Sequence, residues 1–171
     1  LFPKVTHGER EAGLKSFMTV GDAFKQIKKS NKLITYNDID KAQIKNELDR
    51  KRLEYIPAGC GIRYERDEKE YLPKKLRFDV NWDELRENRF RQTKLQRLDP
   101  KKPSPTILTS RTAYFHPKEH RYLTPREAAL LQGFPLYFKF SGSQTSVFRQ
   151  IGNAVPPTVG MLLGKCAAKM M

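Results

Sequence analysis

The chain has 171 residues, with 33 Lys+Arg against 19 Asp+Glu and a formal net charge of +14. That length suits one domain, or one domain with an appended arm, and 38% hydrophobic residues allow a modest core. No apolar run approaches the ~18 residues needed to span a bilayer, the polar start Leu1 to Arg10 carries no secretory apolar region, and two cysteines, Cys60 and Cys166, make a disulfide scaffold untenable.

An excess of this sign predicts a polyanionic partner, either a nucleic acid or an acidic membrane face, and charge alone does not choose between them. Low cysteine usage favours a reducing compartment. The first residue is Leu1, not Met, so the chain is expected to be a segment of a longer protein or a processed product.

In chain order, Thr19 to Lys29 is predicted helical. Thr19 and Asp22 form a capping pattern, and Val20, Ala23, Phe24 and Ile27 share one face. Asp38 to Leu53 is a second helical candidate, highly charged, with Ile44 and Leu48 as its apolar stripe. Ile56-Pro57-Ala58-Gly59-Cys60-Gly61 breaks it and marks a loop where backbone approaches closely. Leu76 to Val80 and Thr106 to Thr109 read as short strands, the second entered through the stiff Lys101 to Pro105. Trp82 with Phe78, Leu85 and Phe90 reads as a local core, with base stacking as the alternative.

Half of the charge excess, +7, lies in residues 73–122. Its densest stretch is Arg86, Arg89, Arg91, Lys94 and Arg97, with Gln92, Thr93 and Gln96 among them. These side-chain types reach phosphates and base edges in a groove. A solvated basic loop is the competing reading.

The last fifty residues carry three predicted helices. Thr124-Pro125-Arg126-Glu127 starts the first, Thr124 capping and Pro125 at the first helical position, and Gly133 stops it. Thr145 to Gln150 is the second, ending at Gly152. Pro156-Pro157 opens the third, with Val159, Leu162, Leu163 and Ala167 expected to pack inward.

Arg121-Tyr122-Leu123-Thr124-Pro125-Arg126-Glu127-Ala128-Ala129-Leu130-Leu131-Gln132-Gly133-Phe134-Pro135 resembles the ninth motif of the DNA cytosine-5 methyltransferases. Arg149-Gln150-Ile151-Gly152-Asn153-Ala154-Val155-Pro156-Pro157 resembles their tenth. Arg97-Leu98-Asp99-Pro100 and Pro103-Ser104-Pro105-Thr106-Ile107 look like the late part of that family's target-recognition region. Phe2 to Gly8 and Thr19 to Phe24 look like the stretch after its eighth motif. The resemblance is strong over 97–163 and weak over 30–96.

The resemblance implies an α+β fold: a small twisted sheet of short strands in a target-recognition domain, then C-terminal helices, the last packing on an absent α/β catalytic domain that uses S-adenosylmethionine. It implies a connector at 1–30, a recognition domain at 31–142 and the returning tenth-motif segment at 143–171. The family's Pro-Cys nucleophile loop, Glu-Asn-Val motif and glycine-rich cofactor loop are missing from this chain. No catalytic residue and no metal ligand is therefore assigned. His116 and His120 lack a completing ligand set, and both cysteines read as small buried residues.

Methylating cytosine C5 needs a thiolate on C6 of a base already out of the stack, and groove and phosphate contacts supply that energy and choose the site. The expected contacts to double-stranded DNA are Arg91, Lys94, Gln96 and Arg97, then Thr106, Thr109, Ser110, Arg111 and Thr112. Thr106 matches the Thr of the family's Pro-Thr-Ile string near the flipped nucleotide. The expected cofactor-lining residues are Gly152, Asn153, Ala154 and Val155, with Gly152 permitting a close turn and Asn153 both donating and accepting. Arg126 and Glu127 are read as structural. Three functional alternatives stand: the recognition portion of a single-chain cytoplasmic bacterial or phage enzyme, a separate non-catalytic subunit, or a basic nucleic-acid-binding module unrelated to methylation.

Overall fold

A computed structural model describes residues 3–8, 13–30 and 35–170. Phe2 and the junction of the expected segments 1–30 and 31–142 lie outside or at the edge of those residues. The chain forms two compact units, and both are discontinuous. Unit 1 comprises 1–37, 101–110 and 125–171, and unit 2 comprises 38–100 and 111–124. This differs from a division in chain order: the ninth-motif helix belongs with both chain ends, not with the basic middle.

In unit 1, α1 (Val20–Lys29) starts at Thr19, whose hydroxyl accepts the Asp22 N–H while the Asp22 carboxylate accepts the Thr19 N–H. This is the capping box expected from those two residues. Only Val20 and Ala23 of its apolar face are fully buried. α4 (Pro125–Leu131) packs against α1 and against α5 (Gln144–Asn153). Gly133 (φ 91°) ends α4: its N–H donates to the Leu130 carbonyl while the Phe134 N–H reaches the Ala129 carbonyl. Those paired bonds are the Schellman pattern that satisfies orphan carbonyls, and the left-handed residue it needs is the glycine. The core joins Ile107, Ala128, Ala129, Phe134, Phe140, Val147, Phe148 and Ile151. Each large apolar side chain so buried contributes about 1.5–3 kcal/mol.

α5 continues past the expected stop at Gly152 and ends at Asn153. α6 (Pro157–Ala168) opens behind Pro156 as expected, but no residue of it is buried. Val159 and Leu163 are exposed and Leu162 is only half-buried, so the expected inward packing is not found among the described residues.

In unit 2 the expected helix Asp38–Leu53 is two pieces. A 3-10 turn at Asp40–Ala42 is separated from α2 (Glu47–Leu53) by an extended stretch, and Asn46 restarts the helix by accepting the Leu48 and Asp49 N–H groups. The strands also lie elsewhere than expected. β1 (Ile62–Tyr64) pairs antiparallel with β2 (Arg89–Lys94), with Ile62 opposite Lys94, Tyr64 opposite Arg89 and a bulge between. Lys74–Leu76 is a 3-10 turn, Arg77–Val80 is irregular, and Thr106–Thr109 pairs with no strand among the described residues. The fold is thus mixed helix with a small two-stranded sheet.

α3 (Glu65–Tyr71) follows β1 directly. Its Glu68, buried, accepts hydrogen bonds from the Phe78 N–H and from Trp82 Nε1 at 3.1 Å, fastening the irregular segment. The unit 2 core gathers Ile44, Leu53, Ile56, Ile62, Leu72, Trp82, Leu95 and Phe115, with Phe78, Leu85 and Phe90 against it. The aromatic set around Trp82 is therefore core, as expected. The loop at 56–61 also behaves as expected: a β-carbon on Gly61 would meet backbone of Gln96 and Lys94 at 3.0 Å.

Candidate nucleic-acid interface

β2 is a polar sequence held as a strand by one apolar side chain. Phe90 packs edge-on to Phe78 (ring centroids 5.4 Å apart) and tilted on Trp82 (4.7 Å). With Phe90 inward, Arg91, Gln92 and Lys94 lie exposed. The Lys94 ammonium sits 5.5 Å from the Phe90 ring centre, within cation–π range. Gln96 is half-buried and donates to the Arg97 carbonyl at 3.2 Å.

Arg97 is not presented to a ligand. It is 6% exposed, and its guanidinium donates to the carbonyls of Leu53 (3.2 Å), Ile56 (3.1 Å) and Pro117 (3.1 Å). Burial holds its pKa below the usual arginine value. Arg97 therefore ties the end of α2 and the turn after it to the loop at Pro117, and is corrected from a DNA contact to a structural residue. Charge density in the sequence does not distinguish it from Arg91; the backbone pairing of Arg97 with Phe115, which turns it inward, does.

A short 3-10 stretch, Arg86–Asn88, precedes β2 and is broken by left-handed backbone at Glu87 (φ 60°, ψ 26°) and Asn88 (φ 48°). Two such non-glycine residues in succession cost on the order of 1–3 kcal/mol each. They place the Glu87 carboxylate against Arg89, which donates from Nε at 2.7 Å and from Nη2. Sequence reasoning noted Arg89 only as part of a basic run and passed over Glu87. The available signal was an acidic residue beside Asn, a left-handed-tolerant type, inside that run.

The second expected stretch divides between the units. Thr106, Thr109 and Ser110 are exposed in unit 1, around the buried Ile107, while Arg111 and Thr112 are exposed in unit 2. The Leu108–Thr109 backbone lies on Gly152: a β-carbon there would fall 2.6 Å from the Thr109 nitrogen and 2.7 Å from the Leu108 carbonyl carbon. Gly152 is thus required for close approach from inside a helix, not for a turn. This brings expected DNA-contacting and cofactor-lining residues against one another within unit 1.

After Gly152, Asn153 and Val155 are exposed, and the Ala154 carbonyl accepts from Gln132 Nε2 at 2.6 Å, tying the tenth-motif segment to the ninth. Gln132 was missed as a tether, although it precedes the helix-ending Gly133. Among the described residues, Gly152–Val155 line neither a cavity of about 430 Å³ between Pro3–Thr6 and α6 nor one of about 390 Å³ around Arg50 and Lys118–Arg121. An exposed amide and exposed apolar side chain on a tethered backbone fit one wall of a cofactor pocket completed by other residues.

Arg126 is fully buried. It donates to Thr35 O (3.1 Å), Pro135 O (3.2 Å) and Phe138 O (2.7 Å), and its guanidinium lies within 5.7 Å of the Tyr36 and Phe140 ring centres. Burial lowers its pKa. The structural reading of Arg126 holds. His116 Nδ1 accepts from the Lys118 and Glu119 N–H groups in a turn. Among the described residues no three His, Cys, Asp or Glu side chains gather as a metal site. Cys60 and Cys166 are free and half-buried rather than fully buried, and Tyr71 donates to the Cys60 sulfur at 3.6 Å.

The C-5 cytosine-specific DNA methylase family matches residues 4–168. The chain belongs to that family. It is 35% identical over 162 residues to the type II methyltransferase M.NgoFVII of Neisseria gonorrhoeae, a match covering 91% of this chain and 37% of that protein. It is 40% identical over 88 residues to the type II methyltransferase M.AquIB of Picosynechococcus sp., covering 44% of this chain and 63% of that one. A solved structure described as a DNA modification methyltransferase encoded within a prophage (E. coli) superposes with a TM-score of 0.50 at 26% identity, covering 83% of this chain and 30% of that one. The chain thus spans well under two thirds of the length of M.NgoFVII.

Proposed function

We propose that the chain is the DNA-recognition portion of a cytosine-5 methyltransferase that moves a methyl group from S-adenosylmethionine to cytosine C5 within a specific duplex sequence. The observation that carries this reading is the family match over 4–168 in a sequence holding neither a Pro-Cys nor a Glu-Asn-Val string. The chemistry then belongs to a catalytic domain supplied from elsewhere, and this chain alone is inactive. Its own residues bind and orient: Arg91 and Lys94 on β2 with Arg111 and Thr112 in unit 2, and Thr106, Thr109 and Ser110 in unit 1, engage duplex DNA.

The bound cofactor supplies the methyl group. Gly152, Asn153, Ala154 and Val155 form one wall of its pocket, and α6 offers its apolar side chains to the catalytic domain. A cytoplasmic bacterial or phage enzyme fits the type II names of the bacterial relatives. Among the described residues no helix is long and apolar enough to cross a membrane.

A second reading, a separate non-catalytic subunit, is favoured by M.AquIB: 88 aligned residues make up 63% of it, so that relative is itself a short chain. Both readings are tested by mixing the chain with a matched catalytic half and following labelled methyl transfer to DNA. Transfer that requires both halves is expected. Folded halves that transfer nothing together overturn the proposal.

A further inference from the structure

Resting on the DNA-recognition reading, the geometry of the turn before β2 points to a specific base contact: Arg89, buttressed by Glu87, reads a guanine in the major groove. Glu87 Oε2 takes the Nε–H and one Nη2–H of Arg89, which is the side edge of the guanidinium. The end-on Nη1/Nη2 edge has no protein partner among the described residues. That edge is the fork that matches guanine O6 and N7.

Three features set Arg89 apart from the freer arginines near it. Its side chain is 25% exposed, whereas that of Arg86 is 95% exposed. The Arg89 side chain is therefore held against the protein where that of Arg86 is free to swing. The buttressing carboxylate is set by the left-handed pair Glu87–Asn88, so the orientation is built into the backbone. And Arg89 opens a two-stranded ribbon, opposite Tyr64 and next to the anchored Phe90. The major groove admits such a ribbon. A purely electrostatic clamp has no use for a carboxylate here, since Glu87 offsets the charge of the arginines beside it; a base-reading fork does, because the carboxylate removes rotational freedom.

The test uses the enzyme carrying this chain together with its catalytic half, expressed in a host lacking cytosine methylation. Bisulfite sequencing of the host's genomic DNA reads the methylated consensus for the wild type, Arg89→Lys and Glu87→Gln. Arg89→Lys keeps the charge and loses the fork. Discrimination at one G·C position is expected to fall by about 5- to 150-fold in Arg89→Lys, and in the same direction at the same position in Glu87→Gln, while other positions hold.

An unchanged consensus in both variants overturns the inference and leaves the recognition reading standing. So does a uniform fall across all positions for Arg89→Lys with a uniform gain for Glu87→Gln, the signature of phosphate contact alone. Absence of any wild-type methylation overturns both. The exposed Glu87 carries the test should Arg89→Lys fail to fold.

Discussion

Gly152 in α5 and Thr109 in the loop at 106–110 share a contact in which no side chain takes part: bare α-carbon against backbone nitrogen, with room for no β-carbon. Gly152→Ala places a methyl 2.6 Å from that nitrogen, and the nearest atoms are backbone, which gives way poorly. Overpacking of this kind costs about 1–3 kcal/mol. A lowered melting temperature is expected, and in the complete enzyme a loss of methyl transfer exceeding the loss of stability. A variant as stable as wild type would show that the loop moves aside freely.

Arg91 and Arg97 are expected to separate cleanly. Arg97→Met leaves three carbonyls without their donor, and each buried acceptor so orphaned costs about 1–3 kcal/mol. Its urea midpoint should drop sharply. Arg91→Ala should leave the midpoint within about 0.5 kcal/mol of wild type, as for other exposed substitutions. It should instead weaken binding to duplex DNA and reduce the salt slope by about 1. Equal destabilisation by the two substitutions would contradict the burial of one and the exposure of the other.

The α1 cap carries a pH dependence. The Lys25 ammonium, then the Thr19 hydroxyl and N–H, hold the Asp22 carboxyl down at about 2, against an ordinary value of 3.8. A pKa lowered by folding adds stability that is complete above the ordinary value and is lost as pH falls toward 2. The stability difference between wild type and Asp22→Ala should therefore be constant above about pH 5 and shrink between pH 4 and 2. Asp22 and Lys25 both being exposed to solvent, the effect is small and is best read from helix content in a pH series. A difference that grows on acidification would reverse the assigned sign.

Exposed apolar side chains cluster in and just before α6, where Val155 is 62% and Met161 54% exposed, with Val159 and Leu163 alongside. Such a patch promotes association. The chain purified alone should self-associate at high concentration, and Met161→Glu should make it more monodisperse. In the mixing experiment Met161→Glu should abolish methyl transfer. A substitution that improves solubility and preserves transfer would place the catalytic partner elsewhere.

What could be read from the sequence follows from how local each feature is. The Thr19–Asp22 cap and the Gly133 stop depend on a few neighbouring residues, and both formed as read. The strands did not. Leu76 to Val80 has the stronger strand composition, yet Glu68 and the Trp82 core hold it as irregular chain, while Arg89–Lys94 is a strand because β1 and Phe90 hold it there. That pairing spans some thirty residues and leaves no alternating apolar pattern. α6 shows the opposite case: its apolar periodicity reads as burial, but none of its residues is buried among the described residues. At the candidate site, residue type flagged Arg91 and Arg97 alike, and only the fold turned one of them inward.

The chain passes between its two units four times, at the boundaries near residues 37, 100, 110 and 124. An exchange of genetic material that replaces unit 2 in a single crossover pair must take everything from 38 to 124. The incoming cassette then carries its own version of 101–110, which has to settle on a resident Gly152. Shuffling of recognition modules between relatives of this architecture is therefore constrained by a surface in the recipient, and a glycine at that position makes the recipient permissive, since it demands only backbone of whatever arrives.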